Sequence, residues 1–128
     1  MKALLLTILS AVTINVSAAT VELGKYRAVD AATRSTVASF ELLANGTVNF
    51  HVRSPEFQVT CRGRYTVRGN EFATNLECDS FLLSEASVKI DISNVTAQSI
   101  RSVNGTEVNV IIDALGDEPV KYLLKKVN

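Results

Sequence analysis

Residues 61–78 read CRGRYTVRGNEFATNLEC and carry both of the chain's cysteines, one at each end. Gly69-Asn70 near the middle is a two-residue hairpin signal, because a leading glycine supplies the positive φ that type I′ and II′ turns require. Taking Arg68 and Glu71 as the closing pair and stepping outward, Val67 faces Phe72, Tyr65 faces Thr74, Gly63 faces Leu76, and Cys61 falls opposite Cys78. Alternation along an antiparallel pair makes this last pair a non-hydrogen-bonded one, whose Cα atoms come within about 4.5 Å, inside the reach of a disulfide. The count predicts a Cys61–Cys78 disulfide, formed in an oxidising compartment.

The same register sorts the faces. Val59, Cys61, Tyr65 and Val67 share one side with Phe72, Leu76 and Cys78, while Arg62, Arg64, Thr66 and Arg68 share the other with Glu71, Asn75 and Glu77. Arg62–Glu77 and Arg68–Glu71 become opposite-charge cross-strand pairs. One register satisfies turn, disulfide, apolar side and charge, and a slip of one residue breaks all four.

Outward from this hairpin, short runs rich in β-branched and aromatic residues recur, punctuated by Asn-Gly, Gly-Asn, Ser-Pro and Gly-Asp. Evenly spaced strands with turn signals predict an all-β fold, a small antiparallel up-and-down β-barrel of about eight or nine strands. The strands are expected near 21–29, 36–43, 47–53, 58–68, 71–79, 86–93, 97–103, 106–114 and 119–127. In ELLANGTVNF, a three-residue loop Ala44-Asn45-Gly46 with Gly46 left-handed sets Leu42 against Val48, Phe40 against Phe50 and Glu41 against Asn49. The same turn at Val103-Asn104-Gly105 would pair Ile100 with Val108 and Arg101 with Glu107. The inward set then also holds Val88, Ile90, Ile92, Val110, Ile112, Tyr122 and Leu124. Gly63, inward and mid-strand among large neighbours, marks a place where the sheet bends to close.

The chain opens MKALLLTILSAVTINVSAAT, one Lys followed by an apolar run and small residues. This is the layout of a secretory signal peptide over 1–19, cut after Ala18 or Ala19, and too short for a membrane span with a stop-transfer flank. The remaining residues, 20–128, form one domain. Of 13 Lys and Arg, Lys2 leaves with the leader, so 12 face 13 acidic residues. That balance offers no basic footprint for nucleic acid or an anionic membrane.

Gly24-Lys25-Tyr26 on the first strand, followed by hairpin-linked strands including ELLANGTVNF and CRGRYTVRGNEF, resembles bacterial secreted lipocalin-like, calycin-type β-barrels. Lipocalins carry Gly-x-Trp there; this chain has no Trp, and Tyr26 stands in its place at the barrel floor. The resemblance implies an up-and-down antiparallel barrel that binds a small apolar ligand inside.

Candidate sites are few. Ser39, His51 and Glu41 lie on one open strand face without oxyanion donors or shielding, so no catalytic residue is expected. One His and a bonded cysteine pair cannot supply a closed metal site, and no phosphate-binding glycine loop or other cofactor signature is present. Interior aliphatic and aromatic side chains around Tyr26, Phe40, Phe50, Tyr65 and Phe72 are the candidate ligand site. Arg53, Arg62, Arg64 and Arg68 form a candidate surface site for an anionic group, with Arg64 facing neutral Asn75. Asn45, Asn94 and Asn104 stand in Asn-x-Thr triplets, glycan acceptors in a eukaryotic secretory pathway and turn residues in a bacterium.

The expectation is a secreted or periplasmic, non-enzymatic binding protein that holds a small apolar molecule. The alternative is an inhibitor or protein-binding module acting on a secreted enzyme such as a protease or lysozyme, presenting SPEF (54–57) or LGDEP (115–119).

Overall fold

The computed structural model describes residues 21–127. Eight strands follow one another: β1 (Gly24–Asp30), β2 (Val37–Leu42), β3 (Thr47–Arg53), β4 (Gln58–Arg68), β5 (Glu71–Ser80), β6 (Leu83–Asp91), β7 (Thr106–Ile112) and β8 (Val120–Val127). Each pairs antiparallel with the next, and β8 returns to β1 to close the barrel. Closure gives every strand a partner on each side, although β6 and β7 meet only over Val88–Asp91 and Asn109–Ile112. The expected leader over 1–19 lies outside the described residues.

The β4–β5 hairpin has the register counted from its turn, from Arg68↔Glu71 through Gly63↔Leu76 to Cys61↔Cys78. The cysteines are bonded, with Cα atoms 4.0 Å apart. The β2–β3 hairpin pairs Leu42 with Val48, Phe40 with Phe50 and Glu41 with Asn49. Its Gly46 is left-handed at φ 82°, the Gly46 amide donates to Leu43 O, and the Leu43 amide donates to Thr47 O. These are the type I turn and glycine bulge that the three-residue loop demands.

Gly63 is required by close approach rather than by its φ. A Cβ there would lie 1.9 Å from the carbonyl oxygen of Asn75 and 3.0 Å from the Leu76 Cα. The β4 backbone thus runs against β5 where the sheet curls, and backbone atoms cannot step aside as a flexible side chain can.

Two expectations are corrected. The segment 97–103 is not a ninth strand: Ser99–Arg101 forms a 3-10 turn inside the connection between β6 and β7. Local hydrogen bonding explains it. The Ser99 amide donates to Thr96 Oγ1 and the Thr96 amide donates to Ser99 Oγ, both at 2.9 Å, which turns the chain away from a ladder. Ile100 is buried as part of the barrel floor instead of facing Val108, which pairs with Tyr122; Glu107 pairs with Leu123, not Arg101. The second correction concerns charge. Arg62 and Arg68 stand opposite Glu77 and Glu71, but among the described residues the ion pairs within 4.0 Å are Arg101–Glu22 and Lys121–Glu107. Exposed long side chains gain too little from such pairing to give up their rotamer freedom.

Gly63→Ala should destabilise the fold by ~3 kcal/mol or more in urea unfolding, through overpacking against backbone. Gly69→Ala, at φ 58° with nothing within 4 Å of the new Cβ, should cost only about 1 kcal/mol. Reducing the disulfide, which closes a sequence separation of 17, should cost about 3 kcal/mol in the same assay run with and without reductant.

Candidate functional site

The barrel interior divides into two halves of different character. Toward the floor, where the β2–β3 and β4–β5 turns and the β6–β7 connection lie, the five aromatic candidates form one cluster. Tyr26 stacks on Phe40 with ring centroids 5.2 Å apart, Phe40 stacks on Phe50 at 4.7 Å and lies 6.2 Å from Phe72, and Tyr65 stacks on Phe72 at 5.4 Å. Offset-stacked rings of this size fill space with little void. A space of about 40 Å³ remains at the floor, bordered by Val21, Ile92, Ile100 and Leu124.

Tyr26 anchors that floor. Its hydroxyl donates to Glu22 O at 2.6 Å, and the Lys126 ammonium sits 5.6 Å from its ring centroid. Arg101 pairs with the Glu22 carboxylate and donates to Ala97 O at 3.0 Å, which ties the β6–β7 connection to the segment before β1. Burial first, and the Glu22 carboxylate second, push the Tyr26 pKa up to about 12. Arg101 holds the Glu22 carboxyl below its usual range, chiefly by hydrogen bonding.

Toward the opposite end, the mouth, small side chains replace rings. In the β1–β2 register Tyr26 faces Phe40, and one inward step toward the mouth Ala28 faces Ala38. With Ala86 they leave a cavity of about 90 Å³ whose wall is entirely apolar, floored by Phe40 and Phe50. Phe57 and Leu115 line this cavity and are also exposed, so it reaches solvent at the mouth. Tyr122 contributes its ring to the wall and is buried, and its hydroxyl has no hydrogen-bond partner among the described residues. Burial and then the Asp30 carboxylate push its acidity down, raising its pKa.

Of the five aromatic candidates, Phe40 and Phe50 border this cavity, while Tyr26, Tyr65 and Phe72 pack below it. The alanines were not singled out from the sequence, although the signal was there. Counting one inward step from each aromatic of the β1–β2 pair lands on an alanine on both strands.

The arginines do not gather. Arg53 ends β3 at the mouth and Arg68 ends β4 at the floor turn. The Arg64 guanidinium donates to Asn45 O at 3.3 Å and lies against Gly46, pinning the β2–β3 turn. Ser39 stands opposite His51, but His51 Nδ1 is hydrogen-bonded with Thr60 Oγ1 at 3.0 Å on an exposed face. Among the described residues no group of three or more His, Cys, Asp or Glu is placed to hold a metal ion, and no helix is long and apolar enough to cross a membrane. The chain matches no protein-family model, no curated protein and no solved structure.

Tyr26 should titrate near pH 12 when phenolate absorbance is followed in the folded protein. Its folded pKa lies above the unfolded value of about 10, so its stabilising contribution is complete below pH 10 and is lost as the pH rises toward 12. Tyr26→Phe should remove the high-pH phenolate step and cost about 1 kcal/mol through loss of the bond to Glu22 O.

Proposed function

We propose that this protein is a secreted or periplasmic, lipocalin-like binding protein that takes a small apolar group into the mouth half of its barrel. The observation that carries the reading is the wholly apolar cavity of about 90 Å³ that opens between Phe57 and Leu115. Pockets of this kind bind through apolar burial, with few polar groups to set orientation. The size restricts the ligand: an engineered apolar cavity of about 150 Å³ takes benzene, so the enclosed part here is a short alkyl or comparable group. The stacked floor leaves no room for a polycyclic or long-chain molecule to lie inside. The disulfide agrees with folding in an oxidising compartment.

A second reading, a module that binds a secreted protein, has its own observation. Phe81 and Leu82 at the β5–β6 tip are 96% and 86% exposed, near the disulfide that fixes the base of that tip. Both SPEF and LGDEP belong to the same mouth.

Native mass spectrometry of the mature protein recovered from its own secretory compartment separates the two. The ligand reading expects an added noncovalent mass that is lost on denaturation, and expects Ala86→Phe, which fills the cavity, to abolish it while the barrel stays folded. A bare monomer mass that also fails to take up added short-chain alcohols would contradict it and favour a protein partner.

A further inference from the structure

The two ends of the barrel differ in charge. The mouth segments, residues 30–36, 53–57, 79–85 and 113–121, carry seven carboxylates against three cations, although the whole chain has 13 of each sign. Asp30, Asp79 and Asp113 each accept backbone N–H bonds, from Ala32 and Thr33, from Thr60 and from Ser87, and so are held in place at the rim. Glu56, next to the cavity-lining Phe57, and Asp117 and Glu118, just after the cavity-lining Leu115, are exposed. Of the three cations, Lys121 is directed to Glu107 at 3.9 Å, leaving Arg34 and Arg53. An apolar cavity with an anionic rim has a sign preference for whatever polar group a ligand leaves outside. Fixed charge around an entrance raises the local concentration of opposite charge and repels its own sign.

We infer that the ligand is a small cationic amphiphile: a short apolar tail enters between Phe57 and Leu115, and an ammonium group stays at the carboxylate rim. This rests on the ligand-binding reading above and narrows it, since a fatty acid, with the same tail and a carboxylate head, is disfavoured. Four net charges at about 10 Å through water, screened at 0.1 M salt, give roughly a tenfold preference of amine over carboxylate.

The test compares hexylamine, hexanol and hexanoate, one tail with three heads, by calorimetry or methyl-shift titration on the full mature protein. The expected order of affinity is amine, alcohol, carboxylate, with the spread shrinking as salt rises. The triple variant Glu56→Lys, Asp117→Lys and Glu118→Lys, at three exposed positions, should invert the amine and carboxylate. Equal binding of the three heads, or tightest binding of hexanoate, would overturn the inference and leave the apolar-ligand reading standing. Failure of all three to bind would overturn both.

Discussion

The register of the β4–β5 hairpin is the constraint on which the rest of the barrel depends. Three independent features enforce it: the Gly69-Asn70 turn, the Cys61–Cys78 bond at the far end, and the contact of β4 with β5 that Gly63 permits. Because side chains alternate across the sheet, this register decides which residues of the two longest strands point inward. Tyr65, Phe72 and Leu76 then meet Phe40 and Phe50 from the β2–β3 hairpin in one interior. A hairpin closed at both ends also loses less on folding, since the bond removes freedom from the unfolded chain.

The proposed binding role rests on where bulk sits along the barrel axis. The floor is filled by stacked rings and sealed by Ile100, with Tyr26 held through Glu22 and Arg101. The mouth half has the same number of walls with smaller side chains. Close packing at one end and alanine at the other produce a cup within a barrel too narrow for a large ligand. Exposed rings such as Phe57 and carboxylates such as Glu56 and Asp117 stand at the rim of that cup.

Much of this was legible in the sequence where local rules act alone. Turn chemistry at Gly69-Asn70 and Asn45-Gly46, combined with strict alternation, gave two hairpins residue by residue. The second Asn-Gly site, Asn104-Gly105, misled because Gly105 adopts the expected left-handed conformation at φ 72°, while the residues before it follow the Thr96–Ser99 hydrogen bonds into a 3-10 turn. A turn signal fixes the turn, not the arm leading into it. Facing charges such as Arg62 and Glu77 were legible as neighbours but not as contacts, since solvent competes for both. The split between ring-filled and alanine-lined halves depends on strand tilt and on which inward positions share a level of the barrel. Periodicity within a single strand does not carry that information; the paired alanines Ala28 and Ala38 do.

The proposal's central claim, an apolar cavity confined to the mouth half and open to small molecules, is tested most directly by methyl NMR under xenon, a probe small enough for such spaces. The account predicts saturable shifts of the Ala28, Ala38 and Ala86 methyl resonances. Unmoved alanine methyls up to high xenon pressure would mean that the mouth half is packed shut, and would contradict it.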